Sequence, residues 1–274
     1  MSNSYTNIIS VDQLSDLIVG DRDLLILDCR SKLGEPGWGA QQFALGHIPG
    51  AQFLDLDADM AATPGDGGRH PLPTTEQWLG TLGRLGFTGE QQVVLYDDAL
   101  GAYAARGWWM FRWVGYENVA VLDGGLSAWP SPLTTATVTP SPTQVAARES
   151  LTRQITAEEL HAQLENLPGP LIDARAEARW AGEEEPIDAM AGHIPNAACM
   201  PFNGNTDSDG RFLAKEQLAQ RFADVSDPVT CYCGSGVTAC HNILALNIIG
   251  RDATLYVGSW SDWIRYPDFP KAKG

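Results

Sequence analysis

Short uninterrupted apolar runs alternate along this chain with longer segments whose apolar positions recur at helical spacing. Leu24-Leu25-Ile26-Leu27, Val93-Val94-Leu95-Tyr96 and Val119-Ala120-Val121-Leu122 are runs of the first kind. Strands buried on both faces of a parallel sheet have this composition, so each predicts such a strand. Ser10-Val11-Asp12-Gln13 carries the cap and first turn of a helix. Helices are further predicted from about Thr75 to Leu85 and from Ala102 to Trp113. Gly46-His47-Ile48-Pro49-Gly50 reads as a turn leading into a further strand at Ala51-Gln52-Phe53.

The same order then returns. Leu171-Ile172-Asp173-Ala174-Arg175 echoes the strand that ends at Asp28 and Arg30, and Gly192-His193-Ile194-Pro195 echoes the earlier turn. Val229 to Cys233 echoes Val94 to Asp98, and Leu255 to Trp260 echoes the strand before Gly124 and Gly125. Landmarks repeated in one order argue for duplication. Alternating strands and helices predict an α/β fold in each half, a parallel sheet wrapped by helices. The uncharged stretch from Ser131 to Pro142, rich in Pro, Ser and Thr, suits an interdomain linker. The expected division is a domain at 1–130, a linker at 131–150 and a second domain at 151–274.

Composition narrows the partners. At 274 residues the chain has room for two modest domains, and 44% apolar content supports ordinary cores. A formal charge of −16 repels nucleic acid and anionic membrane surfaces, so neither is expected as a partner. No apolar run nears the roughly 18 residues of a membrane span, and the first residues lack the flank of a secretory signal. A cytoplasmic location is expected. Five cysteines without regular spacing suit a reducing compartment better than a disulfide framework.

The stretch with chemistry in it is Cys233-Gly234-Ser235-Gly236-Val237-Thr238-Ala239, between a predicted strand and an apolar helix. A residue at the carboxyl end of such a strand sits where open α/β sheets place their ligands. Glycines let the backbone close around one point, and the N–H groups of the loop and the following helix can converge there. A thiolate in such a nest is expected to have its pKa lowered into the range of roughly 3.5–7.5 found for activated cysteines. Ser235 and Thr238 add hydroxyl donors. Cys231 and Cys240 read as buried packing residues, and the paired Cys-x-x-Cys spacing of a structural metal site is absent.

These residues resemble the active-site loop of the rhodanese superfamily, in the form found in 3-mercaptopyruvate sulfurtransferases. The resemblance covers nearly the whole chain and implies two tandem rhodanese-like domains. It implies a small anionic sulfur donor, 3-mercaptopyruvate or thiosulfate, a persulfide on Cys233, and transfer to a thiol or cyanide acceptor, with a thioredoxin-like protein as one candidate. The loop residues Gly234, Ser235, Gly236, Val237 and Thr238 would cradle the sulfur, and Arg179 would bind the donor's anionic end. A guanidinium can give a carboxylate two parallel hydrogen bonds. A second arginine expected before the His-Ile-Pro turn is missing from Glu185-Pro186-Ile187-Asp188. Thiosulfate-preferring members carry basic residues after the cysteine, where Gly234 and Ser235 stand here. The resemblance also offers His47 as a helper in proton transfer, although a Gly-His-Ile-Pro turn present in both halves reads first as structural.

Matching the two halves sets Asp98 opposite Cys233, and since a carboxylate cannot carry sulfur, the first half is expected to be silent. No metal and no cofactor is expected: Gly65-Asp66-Gly67-Gly68-Arg69 lacks the Lys-Ser/Thr of a phosphate loop. A cysteine phosphatase is a poor rival, since the arginine it needs six positions after the cysteine is Ala239. The alternatives kept open are a thiol oxidoreductase and a persulfide carrier without turnover.

Overall fold

A computed structural model describes residues 4–20 and 22–274. The chain forms two compact units. The first runs up to Ala62 and adds Pro73–Leu151 and Ser208–Arg211; the second holds Thr63–Leu72, Thr152–Asp207 and Phe212–Gly274.

In the first unit the elements are β1 (Ile8–Ile9), α1 (Val11–Val19), β2 (Leu24–Asp28), α2 (Trp38–Leu45), β3 (Ala51–Phe53), α3 (Thr75–Arg84), β4 (Gln92–Tyr96), α4 (Ala104–Trp113) and β5 (Val119–Leu122). The second unit has β6 (Arg153–Ile155), α5 (Ala157–Gln163), β7 (Leu171–Asp173), α6 (Glu177–Ala181), β8 (Ala197–Cys199), α7 (Lys215–Arg221), β9 (Val229–Tyr232), α8 (Ala239–Ile248), β10 (Ala253–Tyr256) and α9 (Ser259–Trp263). Every strand pairing is parallel, and the orders β1-β5-β4-β2-β3 and β6-β10-β9-β7-β8 are the same topology twice. The apolar runs fill β2, β4, β5, β7 and β9 because those strands are covered on both faces. Helices α1, α3 and α5 start at capping boxes on Ser10, Thr74 and Thr156.

The repeated turn has a physical reason in each unit. Arg30, clamped by Asp28, donates to the Gly46 carbonyl at 2.7 Å, and Ile48 N–H donates to the Tyr96 hydroxyl at 3.2 Å. Arg175, clamped by Asp173, donates likewise to the Gly192 carbonyl at 2.6 Å, and Ile194 N–H donates to Tyr232 at 3.1 Å. The strand-end Asp-x-Arg thus ties its sheet to the Gly-His-Ile-Pro turn. Burial lowers the basicity of Arg175, but the Asp173 carboxylate more than reverses this and keeps the guanidinium charged.

Two expectations change here. The stretch expected as a linker is packed onto the first unit: Thr134 bridges to His47, Thr143 N–H donates to the Gly83 carbonyl at 2.9 Å, and Arg148 N–H donates to the Val114 carbonyl at 2.9 Å. The opposite number of Cys233 is Asp97, not Asp98. Register pairs Tyr96 with Asp28 and Tyr232 with Asp173, so the residues after the two tyrosines correspond. The Asp97 carboxylate, fully buried, accepts N–H bonds from Ala99, Gly101, Tyr103 and Ala104 at 2.8–2.9 Å. Burial raises its carboxyl above the ordinary aspartate value, and the four donors offset part of that rise.

Candidate active site

Cys233 follows the carboxyl end of β9, the middle strand of the second sheet, and is 2% exposed. Its sulfur accepts the Gly236 N–H at 3.1 Å. Gly236 has φ +77, a conformation that glycine adopts without steric cost. A Cβ there would also run into the Val257 carbonyl. Val237 is buried at the turn, and Thr238 occupies the N-cap of α8.

The cysteine backbone is held from the other side by the start of α9. Cys233 N–H donates to the Ser259 hydroxyl at 3.1 Å, and Ser259 in turn donates to the Tyr256 carbonyl at 2.9 Å. Trp260 N–H donates to the Cys233 carbonyl at 3.0 Å and Ser261 N–H to that of Gly234 at 2.9 Å. In the first unit Leu126 N–H donates to the Asp97 carbonyl in the same manner, so Ser259 stands where that unit has Gly125. Both adopt positive φ, +57 at Gly125 and +54 at Ser259. An L-residue with a side chain pays roughly 1–2 kcal/mol for this conformation. The cost is accepted where the hydroxyl finds the cysteine N–H.

Above the loop stand two guanidiniums. A Cβ on Gly234 would lie 2.8 Å from Arg69 Nη2 and 3.5 Å from Arg179 Nη1 and Nη2, so a side chain at 234 would push both away. Arg179 donates from Nε and Nη2 to Glu185, at 3.1 and 2.8 Å, and from Nη2 to Asp188 at 3.0 Å. Burial alone would raise the Glu185 carboxyl, yet the Asp188 N–H and the Arg179 guanidinium hold it below the usual glutamate value. Arg69 donates from Nε and Nη2 to the two oxygens of Asp188, at 2.8 and 3.2 Å. His70 Nδ1 lies 2.7 Å from the Ser235 hydroxyl, and both residues are buried.

Sequence reasoning named Cys233, Arg179 and the loop 234–238, and these are together. It missed Arg69, His70, Asp188 and Ser259. Arg69 and His70 lie in a glycine-rich stretch without periodicity. Their signal was an Arg-His pair directly after Gly67-Gly68 in a loop, the kind of segment that carries function. His47 has a structural engagement instead: it is fully buried, stacks on Phe43, and turns its ring nitrogens to the carbonyls of Phe43 and Ala136 at 2.8 and 3.1 Å. The histidine that touches the loop is His70.

The other cysteines have different surroundings. Burial, then the neighbouring Cys240 and Cys233, push the Cys231 thiol far up, and burial with Asp173 and Glu177 pushes Cys199 to about 11. Among the described residues no cluster of three or more His, Cys, Asp or Glu has the makings of a metal site, and no helix is long and apolar enough to cross a membrane.

Two α/β units of one topology, with a buried cysteine that accepts a loop N–H after the middle strand of one and an aspartate that accepts four N–H groups at the same place in the other, define a duplicated fold. The Rhodanese-like domain family matches residues 10–131 and 156–266, and the chain belongs to that family, as an enzyme of the sulfurtransferase type. Among its relatives is a Pseudomonas aeruginosa protein named "Probable 3-mercaptopyruvate sulfurtransferase", 44% identical over 99% of both chains. The thiosulfate sulfurtransferase of Gallus gallus is 34% identical over 93% of this chain and 92% of that protein. SseA from Escherichia coli, solved as an example of the fold of 3-mercaptopyruvate sulfotransferases, superposes with TM-score 0.81 at 29% identity, covering 94% of this chain and all of that one (100%).

Proposed function

We propose that the chain moves sulfane sulfur from 3-mercaptopyruvate, in preference to thiosulfate, through a persulfide on Cys233. The observation that carries this reading is a cysteine sulfur holding the Gly236 N–H at 3.1 Å, in a loop whose second residue, Gly234, lies beneath two guanidiniums. Arg179 binds the donor's carboxylate. The Cys233 thiolate attacks the donor sulfur, the donor's carbon–sulfur bond breaks, and its electron pair leaves as the enolate of pyruvate. The proton of the donor thiol passes to the enolate carbon, and the Ser235 hydroxyl backed by His70 is the group suited to carry it. The products are pyruvate and a Cys233 persulfide anion, with charge and hydrogen conserved. Loop amides of residues 234–238 then hold the terminal sulfur until an acceptor thiol or cyanide removes it.

The preference rests on charge. Arg69 and Arg179 are matched by Asp188 and Glu185, so the pocket's fixed charges come close to cancelling. A monoanionic donor enters such a pocket more readily than the thiosulfate dianion. The acceptor we favour is a small thiol or a thioredoxin-like protein in the cytoplasm, a compartment suited to five free cysteines. Two transfers through one covalent form give ping-pong kinetics. Intact-protein mass spectrometry after donor treatment should show one added sulfur that Cys233→Ser abolishes. Persistence of that sulfur in the variant overturns the assignment, and a higher kcat/KM for thiosulfate overturns the donor preference.

A further inference from the structure

Helix α6 carries Arg179, yet its own residues do little to fasten it. It is five residues long, none of them is buried, and Ala176 at its N-cap gives no side-chain hydrogen bond. So short a helix has no stability of its own in water. Its anchorage comes from other parts of the second unit and centres on Trp180, the residue after the arginine. The indole Nε1 donates to the Ala197 carbonyl at 2.9 Å. The ring lies against that of His193, centroids 4.1 Å apart and 16° from parallel, and His193 Nδ1 is 2.8 Å from the Trp180 carbonyl. Since a carbonyl can only accept, Nδ1 carries the proton of that bond.

His193 is fixed in turn by residues 271–274. Its N–H donates to the Ala272 carbonyl at 2.8 Å, and Ala272 N–H donates back to the His193 carbonyl at 2.9 Å. The stretch then crosses α6 itself, where Gly274 N–H donates to the Ala181 carbonyl at 3.1 Å. At its other end the Lys271 ammonium donates to the carbonyls of Tyr266 and Pro267. Two glycines of positive φ make room for it: a Cβ on Gly182 would meet the Lys273 side chain, and one on Gly192 the Ala272 carbonyl. The first unit builds the same clasp. There His47 and Thr134 exchange backbone hydrogen bonds of 2.9 Å, and His47 stacks on Phe43 and faces its carbonyl. The helix clasped in that unit is α2, which has no arginine. The clasp therefore belongs to the fold, and the second unit alone sets a guanidinium on the clasped helix.

We infer that residues 271–274 form a strap that acts through His193 and Trp180 to place Arg179, and so sets the affinity for the sulfur donor. Glu185 and Asp188 fix the far end of the arginine side chain, and the strap fixes the backbone from which it springs. His193 and Ala272 are then positioning residues. The inference rests on the reading of Arg179 as the group that binds the donor's anionic end.

The test separates the two half-reactions in the full chain. Loading of Cys233 is followed against 3-mercaptopyruvate concentration, and discharge of the loaded persulfide by 2-mercaptoethanol, an uncharged thiol, is timed on its own, with a thermal melt beside them. His193→Phe keeps a stacked ring and loses the Nδ1 donor; Ala272→Pro removes the N–H that reaches His193. Each is expected to raise the donor concentration for half-maximal loading by roughly 2- to 10-fold, the net worth of one hydrogen bond, and to leave discharge within about twofold of wild type. In an Arg179→Gln background His193→Phe should weaken loading no further, because no guanidinium is left to misplace. The inference is overturned if folded variants load like wild type, if loading and discharge slow alike, or if the losses simply add in the double variant. Should Ala272→Pro fail to fold, His193→Phe alone and in the double variant decides the matter. A wild type that gains no sulfur on Cys233, or an Arg179→Gln protein that takes the donor as well as wild type, overturns the underlying reading instead, and that measurement involves no strap variant.

Discussion

Replacing Gly236 with alanine would displace the N–H that holds the Cys233 sulfur, without changing any charge at the site. A Cβ at this position falls under 3.0 Å from the Val257 carbonyl oxygen, a backbone atom of the turn before α9 that cannot swing aside. To regain ordinary contact the loop must shift by about 1 Å. A donor now 3.1 Å from the sulfur would then lie beyond hydrogen-bond range. The new residue also has to adopt φ near +77, at roughly 1–2 kcal/mol. The expected stability loss is thus modest, a fall in Tm of roughly 2–8 °C. The expected kinetic loss is larger: removing one preorganised donor from a developing anion costs roughly 10²–10³ in kcat. Rapid-mix mass spectrometry of Cys233 loading, alongside a thermal melt, measures both. A folded Gly236→Ala protein that loads sulfur within about threefold of the wild-type rate would refute the cradle as the source of reactivity.

Two further changes separate positioning from folding. Glu185→Gln keeps the shape of the side chain but loosens Arg179, so donor KM should rise roughly tenfold. Because the Glu185 carboxyl is held below its ordinary value of 4.5, its contribution to stability is in place above that pH and is lost as pH falls through the depressed value. The gap in Tm between wild type and Glu185→Gln should therefore be widest near neutrality and close in acid; a gap that widens in acid contradicts the assignment. Ser259→Gly relieves a left-handed serine while removing the partner of the Cys233 N–H, so stability should stay within about 1 kcal/mol and sulfur loading should slow by roughly tenfold. Equal loading rates in a normally folded variant would show that the serine does not position the cysteine.

The sheets were legible because a strand covered on both faces carries a run of apolar residues, as at residues 24–27 in β2, 93–96 in β4 and 119–122 in β5. Capped helices were legible for a local reason too, since Ser10 and Thr74 satisfy backbone groups within their own first turn. Helix α6 was not, with five residues and none buried, so that no apolar stripe marks it. The one-residue slip at Asp97 came from two adjacent aspartates whose burial differs, a property of the fold and not of the letters. At the site, Cys233 and its glycines declare themselves because loop geometry is local. His70 meets Ser235 across 165 residues, and only the packing of Thr63–Leu72 brings them together.

The aspartate in the first unit has a consequence for what the second unit can hold. Counting bonds outward from the α-carbon, a carboxylate oxygen of Asp97 occupies the same rank as the outer sulfur of a cysteine persulfide. Four amides already grip that oxygen pair in the first unit. One half of the molecule therefore carries, permanently and in oxygen, a cast of the intermediate that the other half forms only during turnover. With both oxygens already bonded to main-chain N–H groups, that turn of the first unit commits its donors to the protein's own side chain.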